Sequence, residues 1–143
     1  MRRSHTITTQ IKCSLDEAYA YLANPRNFAE WAAVDPQSYR KLPNGDWVGL
    51  TSAGLRHFRF APLNDYGVLD HAMFVPGGAL MYTPMRVVTN DGGCEVLFTF
   101  HCREGMTDLE FDSTLEWIST DFLTLKSVLE SRSKGTGPVG LSA

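Results

Sequence analysis

Three histidines fall in strand-like segments, and imidazole is the side chain best suited to proton transfer and metal binding near neutral pH. His57, His71 and His101 each lie in a different predicted strand. No two of them have the i, i+4 helical spacing or the i, i+2 strand spacing that would aim two imidazoles at one metal ion. The sequence also lacks a G-x-S-x-G, Walker or dinucleotide-binding motif. We therefore expect neither a metal site nor a cofactor.

Asp70 and His71 resemble an acid–base pair, but adjacent residues of a strand point to opposite faces of a sheet. We expect His71 to face inward, because burying an unpaired carboxylate costs more than burying a neutral imidazole. The opposite register would bury Asp70 instead. His71 is thus the candidate catalytic residue, and a structural role, in which its ring bonds a neighbouring strand or a water molecule, is the alternative.

The predicted strands each have one apolar face, which we expect to line an internal cavity. Phe58 and Phe60 flank Arg59, so the two rings are expected inside and the guanidinium in solvent. The face with Met81 and Met85 is more apolar than its opposite, and methionine adapts to irregular ligands, although such a strand is also typical of ordinary core. The residues expected to line the cavity are Trp31, Phe58, Phe60, His71, Met73, Met81, Thr83, Met85, Phe98, Phe100, Ile118 and Phe122.

The elements that must position these residues follow the order β, α, α, six β, α. A capping box at 14–17 and the Asn24-Pro25 pair predict two short helices near the N-terminus. A second capping box at 107–110 begins an amphipathic helix of about 25 residues. The seven predicted strands are residues 6–12, 39–42, 47–50, 57–61, 68–74, 79–88 and 95–102. Short connections predict antiparallel pairing of neighbours.

The fold class we expect is α+β, with one curved seven-stranded antiparallel sheet. An antiparallel sheet buries one face against something apolar, and the closing helix is the longest element available to cover it. We therefore expect residues 1–134 to form a single domain with a cavity between sheet and helix. Residues 135–143 show no periodicity and are expected to form a mobile tail.

Four segments carry a resemblance to a known family: residues 16–31, 67–71, 84–88, and the closing helix with 121–130. Through them the chain resembles the START-related helix-grip superfamily (SRPBCC), and within it the bacterial polyketide cyclase/dehydrase-like group, over about residues 5–132. The resemblance implies a helix-grip fold around a cavity. Members of this superfamily bind lipids, sterols, polyketides or plant hormones; some catalyse cyclisation or aromatisation, and others carry a ligand or assist a chaperone.

The resemblance and the apolar strand faces lead us to expect binding of a small hydrophobic or aromatic metabolite, by a carrier or sensor. One alternative is a polyketide cyclase/dehydrase-type enzyme, in which cavity groups such as His71 move protons. A second alternative is a chaperone-activator-like interaction module, which should display an apolar patch of several hundred Å². A homodimer is compatible with each of these expectations.

The composition of the chain argues against nucleic acid and membranes as partners. The 143 residues are 43% hydrophobic with a formal net charge of −3, and they lack the Lys/Arg stripe that a nucleic acid would require. No apolar run predicts a secretory signal or a membrane span, so we expect a cytoplasmic protein. Cys13, Cys94 and Cys102 have no C-x-x-C spacing, which favours reduced thiols over disulfides or zinc.

Overall fold

A computed structural model describes residues 1–136 of the chain. Two helices and a 3₁₀ helix accompany eight strands: α1 spans Leu15–Leu22, the 3₁₀ helix spans Pro25–Glu30 and the long helix α2 spans Asp108–Thr136. The strands are β1 (Ser4–Ile11), β2 (Arg40–Lys41), β3 (Trp47–Thr51), β4 (Gly54–Phe60), β5 (His71–Phe74), β6 (Met81–Thr83), β7 (Met85–Asn90) and β8 (Gly93–His101). The α+β class agrees with the sequence-based expectation, but seven strands and not six lie between the 3₁₀ helix and α2.

The strands form two antiparallel sheets, so the expectation of one seven-stranded sheet is wrong. The first has the order β1-β8-β7 and the second the order β2-β3-β4-β5-β6. The division comes at Pro84, which splits the predicted strand 79–88 into β6 and β7. Proline has no N–H to donate to a ladder, so it interrupts the pairing. The Pro84 carbonyl still accepts a hydrogen bond of 3.0 Å from the amide of Thr99 in β8.

A short segment before β5 joins the two sheets by hydrogen bonds. The Leu69 amide donates to the Met85 carbonyl at 2.9 Å, and the Val87 amide donates to the Gly67 carbonyl at 3.0 Å. Gly67 has a φ of +69°, and any β-carbon there would collide with the Val87 carbonyl oxygen. The Asp70 carboxylate accepts from the Met85 amide at 2.9 Å. Asp70 therefore stabilises the crossing between sheets.

Local capping starts the helices as the sequence predicts. The Glu17 amide donates to Ser14 Oγ at 3.1 Å, and the Glu110 amide donates to Thr107 Oγ1 at the same distance. Asn24 Oδ1 accepts from the amide of Arg26, but the element that follows is a 3₁₀ helix and not the expected α-helix. Side-chain oxygens at these positions satisfy amides that have no partner within the helix.

Two apolar clusters share the interior. In the larger cluster α2 packs Phe111, Phe122 and Leu125 against the sheet β1-β8-β7. In the smaller cluster Trp47 and Phe58 are covered by residues of the 3₁₀ helix and by Tyr39. The cover of the sheets is therefore shared between the long helix and the 3₁₀ segment. This places the 3₁₀ helix over the inner face of the second sheet, where six of the twelve predicted cavity residues lie.

The long helix continues to Thr136, past the predicted end of the domain at residue 134. Most of the tail expected at 135–143 lies outside the described residues. Within residues 1–136, no helix combines the length and the apolar character needed to cross a membrane.

Candidate functional site

Six of the predicted cavity residues form two adjacent rows across β4, β5 and β6. The register pairs Phe58 with Met73 and Met73 with Met81; the next row consists of Phe60, His71 and Thr83. Alternate residues of a strand share a face, so both rows project from the same side of the sheet. Ring contacts of Phe58 and His71 with Phe28 of the 3₁₀ helix identify this side as the inner one.

Burial decreases along the first of these rows toward the edge strand β6: Phe58 is 2% exposed, whereas Met73 and Met81 are partly exposed. In the second row His71 is 8% exposed, and its neighbours Phe60 and Thr83 are partly exposed. An inward-facing apolar side chain that keeps solvent contact marks incomplete cover of the sheet. The inner face is therefore buried at Phe58 and His71 and partly accessible around them, at Phe60 and toward β6.

Five aromatic rings form a closed circuit beside the two rows. Ring centroids lie 5.3 Å apart for Phe28 and Trp31, 5.5 Å for Trp31 and Phe122, and 5.3 Å for Phe122 and Phe98. The circuit closes through His71, whose centroid is 6.0 Å from Phe98 and 5.6 Å from Phe28. Aromatic pairs at such distances add stability beyond the area they bury. The circuit joins the long helix, both sheets and the 3₁₀ helix.

Phe28 is the central member of this cluster and was not among the predicted cavity residues. It contacts Tyr39, Phe58 and Phe60 in addition to its two neighbours in the circuit. Its sequence signal was the apolar side of the short helix that follows Asn24-Pro25. Such a signal shows that a ring is buried but not what it contacts.

The remaining predicted residues lie around the circuit. Met85 is buried and pairs in register with Phe98 across β7 and β8. Phe100 stacks on Phe111 at 5.4 Å, and among the described residues no ring contact joins it to the circuit. Ile118 is partly buried against the larger cluster. The structure thus joins Trp31, Phe98 and Phe122 in one circuit with His71, which contacts Phe98 directly, and packs Phe100 of β8 against Phe111 of the long helix.

The hydrogen bond of His71 fixes its tautomer. Nδ1 lies 3.2 Å from the Leu69 carbonyl oxygen, which can only accept, so Nδ1 carries the proton and Nε2 has a free lone pair. Burial lowers the pKa of His71 and keeps the ring neutral near pH 7. Within residues 1–136, every side-chain nitrogen or oxygen sealed from solvent has a partner. Nε2 has none there, so it retains access to solvent.

The outer face of the same strands carries charged and polar groups. Arg59 donates two hydrogen bonds to Asp46, at 2.9 and 3.0 Å, and its guanidinium lies 5.0 Å from the Phe74 ring centroid. These bonds lower the pKa of Asp46 below its usual value. Tyr82 is 66% exposed on this side. The predicted outward orientation of Arg59 is confirmed, and His57 contacts Phe74 on the outer face, away from His71.

Two open grooves lie on the described part of the chain, and neither is lined by any of the twelve predicted cavity residues. One of about 750 Å³ lies where the ends of β1 and α2 meet the β7–β8 turn. The other, of about 460 Å³, lies between the 3₁₀ helix and the β2–β3 hairpin. Four of the residues expected around a cavity, Trp31, His71, Phe98 and Phe122, instead pack together in the aromatic circuit.

The cysteines are free thiols. Cys13 and Cys94 are buried with their sulfur atoms 3.9 Å apart. Burial is the main cause that raises the pKa of the Cys13 thiol to about 12 and also raises that of Cys94. Cys102 is half-buried and donates to the Met106 carbonyl at 3.8 Å. Protonated, buried thiols are weak nucleophiles, so the sulfur atoms of Cys13 and Cys94 act as apolar groups of the core.

Asp121 is a titratable group of the helix that sequence reasoning missed. It directly precedes Phe122 of the circuit, and the Ala33 backbone amide donates to its carboxylate. Burial outweighs this hydrogen bond and raises the pKa of Asp121 to about 6. The bond ties α2 to the segment that follows the 3₁₀ helix.

We expect Asp121 to make the protein less stable as the pH rises. Between its ordinary pKa of 3.8 and its folded value of about 6, the folded chain binds more protons than the unfolded chain, so this contribution is present at low pH and lost above about 6. Asp121→Asn keeps an oxygen that can accept from Ala33 but cannot ionise. Urea unfolding at pH 4 to 7.5 should show the variant gaining stability relative to the parent as the pH rises. A pH-independent difference would contradict this assignment.

Comparisons with known proteins support the fold alone. No protein-family model and no curated protein matches the sequence. Among solved structures, XoxI of Bacillus cereus has a TM-score of 0.69 at 12% identity, covering 88% of this chain and 94% of that one. The Aha1 dimer of Colwellia psychrerythraea has a TM-score of 0.67 at 16% identity, covering 90% and 96%.

A third solved structure, DynU16, comes from the dynemicin biosynthetic locus. It has a TM-score of 0.66 at 12% identity, and the alignment covers 89% of this chain but 47% of that one. This chain therefore matches about half of the length of DynU16. At these identities the likeness establishes the shared α+β architecture, which is consistent with the helix-grip type that the sequence resemblance implied.

Proposed function

We propose that the protein binds a small hydrophobic or aromatic molecule at the inner face of β4, β5 and β6, as a carrier or sensor. The observation that supports this is the pair of cross-strand rows whose apolar members face inward and yet stay partly exposed toward β6. Apolar surface of this kind is costly to leave in water, and a ligand that covers it gains hydrophobic free energy.

The surroundings of His71 favour binding over catalysis. The rings around it belong to Phe28, Phe60 and Phe98, none of which titrates. Acid–base catalysis of a cyclisation or dehydration requires groups that give and take protons at the reacting atoms. Asp70 is engaged with the Met85 amide at the sheet crossing. A buried imidazole in an aromatic setting is better suited to positioning a ligand than to relaying protons.

The structural neighbours are compatible with this proposal. DynU16 comes from a biosynthetic locus, which is compatible with a role for this fold around small molecules. The Aha1 structure is a dimer, which is compatible with a homodimer here. A chaperone-activator-like role would need a docking surface, and the partly exposed rows face inward.

The proposal is tested by titrating the protein with Prodan, a neutral naphthalene dye that brightens in apolar surroundings. The parent should bind it. Met81→Trp places an indole on the inner face and should weaken binding by at least about tenfold, or about 1.4 kcal/mol. The matched control is Tyr82→Trp, on the same strand but pointing outward, which should leave the affinity unchanged.

Thermal melts of both variants accompany the titration. Met81 is partly exposed, so its replacement should destabilise the protein by less than about 1 kcal/mol, the lower limit of the range that is typical for overpacking a full core. If the parent fails to bind Prodan, or if the two variants weaken binding equally, the proposed site is wrong.

A further inference from the structure

The unused acceptor of His71 constrains which apolar ligands fit the site. This inference rests on the proposed function, since it concerns a molecule bound at the inner face. We propose that the ligand carries a hydroxyl or N–H group, such as a phenol, that donates a hydrogen bond to His71 Nε2. The preferred ligand is therefore a hydrophobic or aromatic molecule with a hydrogen-bond donor, and a molecule without a donor, such as a hydrocarbon, an ether or the dye Prodan, should bind more weakly.

The orientation of the lone pair follows from the backbone. Because the Leu69 carbonyl holds the proton on Nδ1, Nε2 can act only as an acceptor while the ring is neutral. Imidazole nitrogens lie on opposite sides of the ring, so Nε2 points away from Leu69 and its segment. The side chain is 8% exposed, and no partner for Nε2 is present in residues 1–136.

An acceptor in this position discriminates between ligands. The flanking rings of Phe28, Phe60 and Phe98 supply no donor. A ligand that covers Nε2 without a donor would leave a buried acceptor unsatisfied, which costs more than a made bond contributes. A carboxylate ligand would place its negative charge against a lone pair in apolar surroundings. A hydroxyl satisfies Nε2 and leaves the rest of the ligand to the aromatic rows.

Thr83 is the polar neighbour on the same row. It pairs in register with His71 across β5 and β6 and is partly exposed. Its hydroxyl can donate and accept, so it can receive a second polar group of the ligand. The two polar side chains are neighbours in one row, and the adjacent row of Phe58, Met73 and Met81 is apolar. A ligand with its polar group at His71 and Thr83 and its apolar body against the adjacent row matches this arrangement.

The experiment compares 2-naphthol with 2-methoxynaphthalene as competitors of Prodan. The two share the naphthalene body, and only the first can donate. The parent should prefer 2-naphthol by about tenfold, the size expected for one buried hydrogen bond. Equal affinities would overturn the inference, while continued binding of Prodan would leave the proposed function standing. Absence of Prodan binding, together with no binding of 2-naphthol or 2-methoxynaphthalene in direct calorimetric titrations, would overturn the proposed function and, with it, the inference.

Two substitutions at His71 distinguish the loss of the Nε2 acceptor from a loss of folding. His71→Asn retains an N–H near the position of Nδ1, able to donate to Leu69, but has no acceptor at the position of Nε2. His71→Gln places its amide group near the position of Nε2. We expect the asparagine variant to bind both competitors alike, and the glutamine variant to regain part of the preference. A full preference for 2-naphthol in the asparagine variant would overturn the role of Nε2.

Thermal melts keep this comparison interpretable. If the asparagine variant melts like the parent, loss of preference is due to the missing acceptor. If the asparagine variant does not fold, the glutamine variant is compared with the parent. A glutamine variant that still prefers 2-naphthol supports the inference. A folded glutamine variant that binds both competitors equally contradicts it.

Discussion

A chain that ends at Gly105 is expected to aggregate or to lack a cooperative thermal transition. The deletion removes α2, which contributes the fully buried Phe111, Phe122 and Leu125. Their loss would expose the inner face of the β1-β8-β7 sheet, where Val96 and Phe98 are buried. Apolar burial is the main favourable contribution to folding, and net stability is only about 5 to 15 kcal/mol. The free energy lost when a whole sheet is uncovered exceeds this net stability.

Size-exclusion chromatography and circular dichroism melting provide the measurement. A chain that ends at Lys134 is the control, because we propose that residues 1–134 form the domain and that 135–143 lie outside it. This control should elute and melt like the full chain. A monomeric chain ending at Gly105 with a sharp transition would show that the sheets do not depend on the helix.

Phe122→Ala is expected to reduce the free energy of unfolding by about 3 to 5 kcal/mol, the usual range for truncating a buried phenylalanine. Phe122 is 1% exposed and contacts both Trp31 and Phe98. Its loss leaves a void in the middle of the aromatic circuit that close-packed neighbours fill only in part. The effect therefore combines lost transfer free energy with lost contacts.

The adjacent Leu123 provides a matched control on the same turn of α2. It is 66% exposed, so Leu123→Ala should change stability by about 0.5 kcal/mol or less. Urea unfolding of both variants measures the difference. Equal destabilisation by the two substitutions would mean that the helix is rotated from the orientation described.

The elements that sequence reasoning predicted well depend on neighbours in the chain. Ser14, Asn24 and Thr107 cap their helices through amides two or three residues away, so the signal is complete within a short window. The alternation of β8 is similarly local, because Cys94, Val96, Phe98 and Phe100 are all buried as the period of two requires. These features need no knowledge of the tertiary fold.

The division into two sheets depends on contacts distant in sequence. The run 79–88 has continuous strand character, and Pro84 divides it because both neighbouring ladders change partner there. The crossing also requires Gly67 to approach the Val87 carbonyl. A glycine in a loop is a weak signal in sequence, since many turns use one for unrelated reasons.

The same limit applies to the candidate site, where local patterns predicted which way side chains face but not their distant contacts. The period-two pattern correctly oriented Phe58, Phe60 and His71 toward the interior. It could not reveal Phe28 as the ring that joins them, because that contact depends on where the 3₁₀ helix docks. The role of Asp121 depends on the same docking, since its partner is the amide of Ala33. Whether these residues hold a ligand stays a prediction.

The most direct test of ligand binding at the inner face is a methyl NMR spectrum of the protein labelled with ¹³C at the methionine methyl groups. The chain has five methionines, and single substitutions assign their signals. Adding Prodan should shift the signals of Met73 and Met81, on the inner face, and leave that of the exposed Met1 in place. Saturable shifts at Met73 and Met81 are the predicted result. Unchanged signals from both at concentrations where Prodan is bound would contradict the account.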